Sequence, residues 1–368
     1  MAQAWAKWAV DEMGPAKVVF LRPCAGVEAV VVVDNVALGP AIGGVRMRPG
    51  IEAGEVARLA RAMTLKNAVA GLPHGGGKAG ISAEPTLAPR DHERVMRAFA
   101  RAIDHLTEYI PGPDMGTSET SMAYVQDEIG RSVGLPTVLG GIPLDELGAT
   151  AYGLAISADV LAEAKVIDLE GARVIVQGFG AVGANAALML VQRGATVIAA
   201  SDTRGATFEP AGLDVPALIS FKREDGSVTG FPGGHPTPRD DILGMDCDIL
   251  VPAAQPDVVT HANAGKIAAR VILEGANIPI TPDAEAELHE RGVLCLPDVV
   301  ANAGGVICAA AEYRGASHAE AFAQIEEKIR ATVTELLDRT QRELTPRAAA
   351  GQMARSRLAK ATALRRQF

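Results

Sequence analysis

Short apolar runs open the readable part of the chain. Val18 to Leu21 and Val27 to Val33 are rich in β-branched residues and are bounded by Pro23, Gly26 and Asn35, the pattern of strands. The glycine-rich stretch GPAIGGVRM that follows reads as a turn. Near Ala53 to Ala70 the period changes: Val56, Leu59, Ala60 and Met63 recur at helical spacing with polar residues between them, Lys66 falls in the last turns, and Gly71 and Pro73 stop the helix. GGGKAGI leads into a short strand, and residues 90–109 and 118–132 carry helical patterns again.

The character shifts after about residue 145. ELGATAYGLAISADVLAEA starts a long Ala-rich helix with little polar patterning, and beyond it apolar strands (Arg173 to Gln177, Thr196 to Ala200, Ile249 to Val251, Val271 to Glu274) alternate with helical stretches. Such alternation predicts a parallel, doubly wound sheet. From about Ala316 the pattern is helical and charged to the end, KATALRRQF, which reads as a solvated helix face. A chain of 368 residues exceeds the usual single core. The expected architecture is therefore α/β in two domains separated by a cleft. Residues 1–145 form an N-terminal α/β domain, joined by C-terminal helices over 335–368, and residues 146–334 form a Rossmann domain. There is no internal repeat and no low-complexity linker.

Composition narrows the partners. Hydrophobic residues at 48% against 21% charged mark a globular chain. A net charge of −9 repels a phosphate backbone, and the 35 basic residues form no long cluster, which argues against nucleic acid and for small molecules. Cys24, Cys247, Cys295 and Cys308 form no CxxC pair or zinc spacing and read as buried free thiols; no metal is expected. The opening MAQAWAKWAVDEM places Lys7, Asp11 and Glu12 where a signal peptide needs an apolar core, so it reads as a short amphipathic helix. No uncharged apolar run approaches the ~20 residues that cross a bilayer. A cytoplasmic protein without membrane contact is the expectation.

The stretch ARVIVQGFGAVGANAALMLVQRGATVIAASD contains, in order, a strand, Gly178-x-Gly180-x-x-Gly183, a helix, a second strand and an acid. Gly178 permits the tight turn, Gly180 lets backbone amides approach a pyrophosphate, and Gly183 allows helix and strand to pack closely. Phe179, Ala181 and Val182 complete the turn, and the helix amino terminus stabilises phosphate charge. Asp202, nineteen positions after Gly183, is placed to accept from an adenosine ribose, which favours NAD. Arg204, two positions on, would suit a 2′-phosphate and keeps NADP as the alternative.

Before residue 145 three groups look chemical: Lys66, Lys78 after three glycines, and Asp114 in PGPDMGTS. Gly75, Gly76 and Gly77 strip side chains from around Lys78, and Leu72 and Ala79 to Ile81 flank it, so its amine is expected to be poorly hydrated. Desolvation, or a second ammonium nearby, lowers a lysine pKa towards a useful base. A phosphate-binding GxxxxGK[ST] loop is excluded, because Leu72 and Ala79 occupy its glycine and hydroxyl positions.

The segments MTLKNAVAGLPHGGGKAGI, PDMGTSE, GFGAVG, LEGANIPIT and PDVVANAGGV together resemble the glutamate, leucine, phenylalanine and valine dehydrogenases, in the family's order, from about residue 38 to 313. The resemblance implies reversible NAD-dependent oxidative deamination of an L-amino acid, hydride transfer across a closing interdomain cleft, and a homo-oligomer. It implies that Lys66 pairs with the substrate α-carboxylate, that Lys78 activates water against the imine, and that Asp114 shuttles protons. Thr150, Asn277 and Asn302 match positions around the nicotinamide and the substrate amine. Glutamate-specific relatives carry a lysine before the paired glycines, here Gly43 and Gly44, and a serine after NAGGVxx. This chain has Ile42 and Ala309 there. A glutamate side-chain carboxylate would lie unpaired against apolar walls, at a cost of about several kcal/mol. Gly112, Val306 and Ala309 would complete a small-residue lining. Branched-chain amino acids are thus expected first and phenylalanine second. Against this, the wording of LEGANIPITPDA and PDMGTSE is closer to glutamate dehydrogenases, so a divergent glutamate-like enzyme is one alternative. A catalytically silent amino-acid or dinucleotide sensor is another.

Overall fold

The computed structural model describes residues 11–144, 146–340 and 344–364, apart from the side chains of Pro23 and Cys24. Most of the opening segment read as an amphipathic helix, the last basic residues and the Cys24 thiol lie outside that set. Contacts divide the chain into two compact units. One takes in the chain up to Leu144 with Val306–Gln324 and the segment from Gly351 on; the other runs on to Gly305 and includes Ile325–Ala350.

In the first unit come β1 (Lys17–Cys24), β2 (Val27–Asn35), β3 (Ala41–Met47), α1 (Ala53–Val69), β4 (Gly75–Ser82), α2 (Pro89–Ala102), β5 (Tyr109–Pro113) and α3 (Glu119–Ile129). The five strands form one sheet in the order β1-β2-β4-β3-β5. β2 is antiparallel to β1 and β4, whereas β3 is parallel to β4 and β5. The valine run of β2 has no polar alternation because both faces are covered. Val31 and Val33 join Met96 and Phe99 of α2 and Met122 and Val125 of α3, while Val30 and Val32 face Val56 and Ala60 of α1.

Two sequence expectations change here. GPAIGGVRM is not a turn, since Ala41–Met47 is a central strand. Its glycines serve close approach: a Cβ on Gly43 would lie 1.6 Å from the Gly77 carbonyl oxygen. The helix expected over 90–109 ends at Ala102, and Tyr109–Pro113 is a strand that carries Pro111 and Pro113 because β5 is a sheet edge.

In the second unit, α4 (Ala149–Glu163), β6 (Arg173–Gln177), α5 (Ala181–Val191), β7 (Thr196–Ser201), β8 (Ala206–Phe208), α6 (Val215–Asp225), β9 (His235–Thr237), β10 (Ile249–Pro252), α7 (His261–Ala264), β11 (Val271–Leu273), α8 (Pro282–Glu290), β12 (Leu294–Leu296) and α9 (Asp298–Ala301) follow in order. The helices α10 (Gly304–Tyr313), α11 (His318–Arg339) and α12 (Pro346–Ala363) close the chain. The sheet runs β12-β11-β10-β6-β7-β8-β9, parallel from β12 to β7 and antiparallel over the two short edge strands, so the doubly wound expectation holds with an added edge. α4 lacks polar patterning because it is buried nearly all round, from Ala149 through Leu161. Among the described residues, no helix is long and apolar enough to cross a membrane.

Candidate active site

β3, β4 and β5 lie side by side, and they converge the chemistry of the first unit. Ile42 pairs in register with Gly76, and Val45 with Ala79, so Gly44 sits beside Lys78; Gly44 is also the register partner of Gly112. Successive side chains alternate across a sheet, which puts Ile42 on the same face as Gly44. A Cβ on Gly44 would lie 2.7 Å from Asp114 Cβ and 3.1 Å from Lys78 Nζ. The missing side chain makes room for that pair. Behind this face, the Tyr109 hydroxyl donates to the Gly43 carbonyl at 2.8 Å.

Lys78 Nζ meets Asp114 Oδ2 at 3.1 Å, and Lys78 is 7% exposed. The same oxygen accepts from Arg46 Nε at 2.9 Å. Arg46 is held in turn by Glu55 of α1 at 3.1 Å, and Arg48 pairs with the same glutamate. Thr117 fixes the loop by accepting from the Asp114 N–H at 2.9 Å and donating to the Val45 carbonyl at 2.8 Å. Burial is the largest influence on Lys78 and pulls its ammonium below the ordinary lysine value; Asp114 opposes this and Arg46 adds to it. Burial pushes Asp114 up, but Lys78 and Arg46 more than reverse that and hold it below the usual carboxylate range. The arrangement is an ammonium disfavoured by burial beside a carboxylate whose charged form its neighbours favour.

α1 is clamped onto β2 and β4 near the other lysine. Thr64 donates to the buried Asp34 at 2.6 Å, Asn67 Nδ2 donates to the Gly75 carbonyl at 2.7 Å, and a Cβ on Gly76 would strike the Thr64 backbone nitrogen at 2.0 Å. Lys66, on the last turn of α1, is buried at 8% exposure. On α10, Val306 is half-buried and Ala309 buried. On the opposite, core-facing side of β3, Gly43 leaves no room for a side chain. Gly43→Ala is expected to destabilise the fold by about 3 kcal/mol, a fall in melting temperature of roughly 5–10 °C. Thermal unfolding followed by circular dichroism checks this, and an unchanged melt would mean that β3 and β4 are further apart.

In the second unit the glycine turn has the shape a pyrophosphate needs. Gly178 has φ +98°, and its N–H and that of Phe179 both donate to the Ser201 carbonyl, at 3.1 and 2.7 Å. A Cβ on Gly183 would lie 1.9 Å from the Gly178 carbonyl oxygen, whereas one on Gly180 would meet nothing within 4 Å. Gly180 and Ala181 are exposed at the start of α5, Val182 is half-buried and Phe179 is buried. Open space before a free helix amino terminus fits a dinucleotide phosphate.

Asp202 follows β7, as expected, but its oxygens already serve the protein. Oδ1 accepts from the Arg204 N–H at 2.9 Å and the Ser227 hydroxyl at 3.1 Å, and Oδ2 from the Val228 N–H at 2.8 Å. Lys222 Nζ lies 3.5 Å from Oδ2 and donates to the Phe179 carbonyl at 2.6 Å. Burial pushes Asp202 up, and these donors more than offset it, leaving the carboxyl below its ordinary value. Asn302 and Asn277 come together, with Asn302 Nδ2 donating to Asn277 Oδ1 at 3.2 Å and to the Gly275 and Ala276 carbonyls at 3.2 Å. Thr150 stands against Gly305, where a Cβ would lie 2.9 Å from its hydroxyl. Sequence reading passed over Arg46, Glu55 and Thr117. Arg46 was within reach, because on a strand it is two residues from Gly44 and shares its face.

The family model for Glutamate/Leucine/Phenylalanine/Valine dehydrogenase matches residues 140–366, and that for the Glu/Leu/Phe/Val dehydrogenase dimerisation domain matches residues 23–131. A glutamate dehydrogenase of Aeropyrum pernix is 42% identical over 292 residues, 76% of this chain and 70% of that one. The hetero-hexameric glutamate dehydrogenase of Thermus thermophilus, in a Leu-bound form, superposes with a TM-score of 0.87 at 31% identity, covering 100% of this chain and 95% of that one. The L-tryptophan dehydrogenase of Nostoc punctiforme gives a TM-score of 0.73 at 26% identity, over 95% and 98% of the two chains.

Proposed function

The chain belongs to the glutamate/leucine/phenylalanine/valine dehydrogenase family, and from that premise we propose that it deaminates an apolar L-amino acid oxidatively and reversibly to the 2-oxo acid and ammonia, with NAD as cofactor. The observation that carries this reading is the Lys78–Asp114 pair at 3.1 Å, its lysine buried and its carboxylate half-buried, set against a glycine face. In place of the bounds read from sequence (1–145 with 335–368, and 146–334), we take the first compact unit, with Val306–Gln324, as the amino-acid-binding part and the second, which includes Ile325–Ala350 and so Arg347, as the dinucleotide-binding part.

When bound, NAD supplies the acceptor for the Cα hydride. Lys66 pairs with the α-carboxylate and fixes which face of Cα is presented. Lys78, as the free amine, takes a proton from the water that attacks the imine carbon. Asp114, a carboxylate between steps, relays that proton from Lys78 to the amine nitrogen, and Lys78 takes the hydroxyl proton as the carbonyl forms and ammonia leaves. The Gly178–Gly183 turn would hold the dinucleotide phosphates, Asp202 the ribose, and Thr150, Asn277 and Asn302 the nicotinamide side and the substrate amine. Lys222 beside Asp202 keeps NADP as the second cofactor candidate. The described free thiols, all buried, suit the reducing cytoplasm, and the dimerisation-domain match supports self-association.

Ile42 and Ala309 favour leucine, valine and isoleucine, then phenylalanine, with Gly44, Gly112 and Val306 leaving side-chain room and Gly43 letting β3 lie close to β4. A family neighbour named as an L-tryptophan dehydrogenase supports apolar substrates on this scaffold. Glutamate is the second reading, favoured by the 42% identical glutamate dehydrogenase. The test is NADH or NADPH formation with leucine, valine, isoleucine, phenylalanine and glutamate. The expected result is the highest kcat/KM with a branched-chain substrate and NAD. Its rising pH limb should lie below the ordinary lysine value of 10.5, because rate follows loss of the Lys78 proton. Preference for glutamate would install the second reading, and no turnover by folded protein would remove the enzyme.

A further inference from the structure

A buried charged cluster in the second unit is not used by the mechanism above. Arg347, the second residue of α12, reaches three carboxylates from three other elements. Its Nε donates to Glu285 of α8 at 2.6 Å, its Nη1 to Asp298 of α9 at 2.7 Å, and its Nη2 to both oxygens of Glu274, just past β11, at 2.7 and 2.6 Å. The Glu274, Glu285 and Asp298 side chains are 0%, 5% and 6% exposed. Three nearly dry carboxylates around one guanidinium that stays 29% exposed is an expensive arrangement for a fold to maintain.

The cluster leads directly to the asparagine pair. Glu274 Oε2 accepts from the Asp298 N–H at 3.0 Å, and Asp298 Oδ2 accepts from the Ile278 N–H at 3.0 Å. Between Glu274 and Ile278 lie the Gly275 and Ala276 carbonyls that take Asn302, and Asn277 itself. Ile278 has φ +45° and is 54% exposed. Its carbonyl accepts from the N–H of Asp257, which has φ +54°. A β-branched residue in the left-handed region is strained, and such strain persists only where neighbours over-determine it. Here the Asp298 acceptor does so, and Arg347 holds Asp298.

We infer that Arg347 is a positioning residue for the nicotinamide end of the cofactor site: through Glu274 and Asp298 it sets the strained 274–278 loop that carries Asn277 and receives Asn302. Burial pushes the Glu274 carboxyl up, Arg347 opposing and Asp298 adding to the rise, to about 8. Without the guanidinium, the loop loses a charge that keeps its anchors paired. None of the cluster's bonds named above reaches the Gly178–Gly183 turn. The two ends of the cofactor should therefore respond differently.

The inference rests on the reading of this unit as the dinucleotide-binding part, and the experiment separates the two. Full-length protein, Arg347→Met and Arg347→Lys are titrated with NADH by nicotinamide fluorescence and with ADP-ribose, which lacks the nicotinamide, by calorimetry. In Arg347→Met, NADH affinity is expected to fall about ten-fold or more, while ADP-ribose affinity stays within about two-fold. Arg347→Lys keeps a cation that cannot reach all three carboxylates, so it should fall between parent and Arg347→Met. If Arg347→Met does not fold, the same comparison on Arg347→Lys decides. Unchanged NADH affinity in a folded variant, or equal losses for both nucleotides, would overturn the inference. A parent that binds neither nucleotide would overturn the cofactor reading as well.

Discussion

Lys78→Ala is expected to lower kcat for amino acid oxidation by about 10³-fold while NADH affinity remains within about two-fold. The size follows from what the amine does: no other nitrogen base is paired with Asp114 in the described structure except Arg46, whose guanidinium does not give up its proton at any working pH. The fold should survive the change. Asp114 keeps the Arg46 partner at 2.9 Å and its loop contacts through Thr117, so no carboxylate is left buried and alone. Two further readouts distinguish lost chemistry from a damaged site. The rising limb of the pH profile, which burial of the Lys78 ammonium places below the usual lysine range, should disappear from the residual rate. A small primary amine added to the buffer should restore part of the rate, entering the space the side chain vacated. Initial rates with leucine and NAD, with NADH titrations alongside, check the whole set. Retained kcat, or lost NADH binding in folded protein, would take the assigned role away from Lys78.

The parts of this site that were legible in the sequence depend on contiguous residues. Gly178, Gly180 and Gly183 are readable because a strand, a turn and a helix amino terminus lie within a dozen positions, and their geometry is local. Lys78 stands out because three glycines precede it. Ala41–Met47 was misread as a turn for the same reason that makes it useful. Glycines usually mark turns, yet here Gly43 and Gly44 let a neighbouring strand and an ion pair come within reach of a strand backbone. Read as a turn, that stretch hides the alternation linking Ile42, Gly44 and Arg46, and Arg46 with it. β5 was hidden because its prolines argue against a strand unless the strand is known to be an edge, which only the sheet order reveals. Residues such as Arg347 were out of reach altogether. Its partners are 49 to 73 positions away, and an arginine in a charged helical tail looks like any other solvated cation until the fold surrounds it with carboxylates.

A folded Ile42→Lys, Ala309→Ser double variant is expected to raise kcat/KM for glutamate by about 10²-fold and to lower it for leucine by about ten-fold or more. In the parent, Ile42 is 3% exposed on the face of β3 that carries Gly44, beside Lys78 and Asp114, so an α-amino acid held there would direct its side chain against an apolar wall. A leucine side chain gains from that burial, whereas a glutamate carboxylate pays for desolvation without a partner. A lysine at position 42 reverses both effects. It brings an opposite charge to the glutamate carboxylate, and it faces leucine with an ammonium that has lost its water. The serine adds a hydroxyl donor, and the smaller effect of Ala309→Ser alone measures that share. A cation introduced at a buried strand position also destabilises the unliganded protein, and glutamate should then raise the variant's melting temperature more than leucine does. Steady-state rates on both substrates, with NAD saturating, decide the outcome. A folded variant that gains nothing on glutamate would show that Ile42 and Ala309 do not line the side-chain pocket, and the apolar substrate class would lose its structural support.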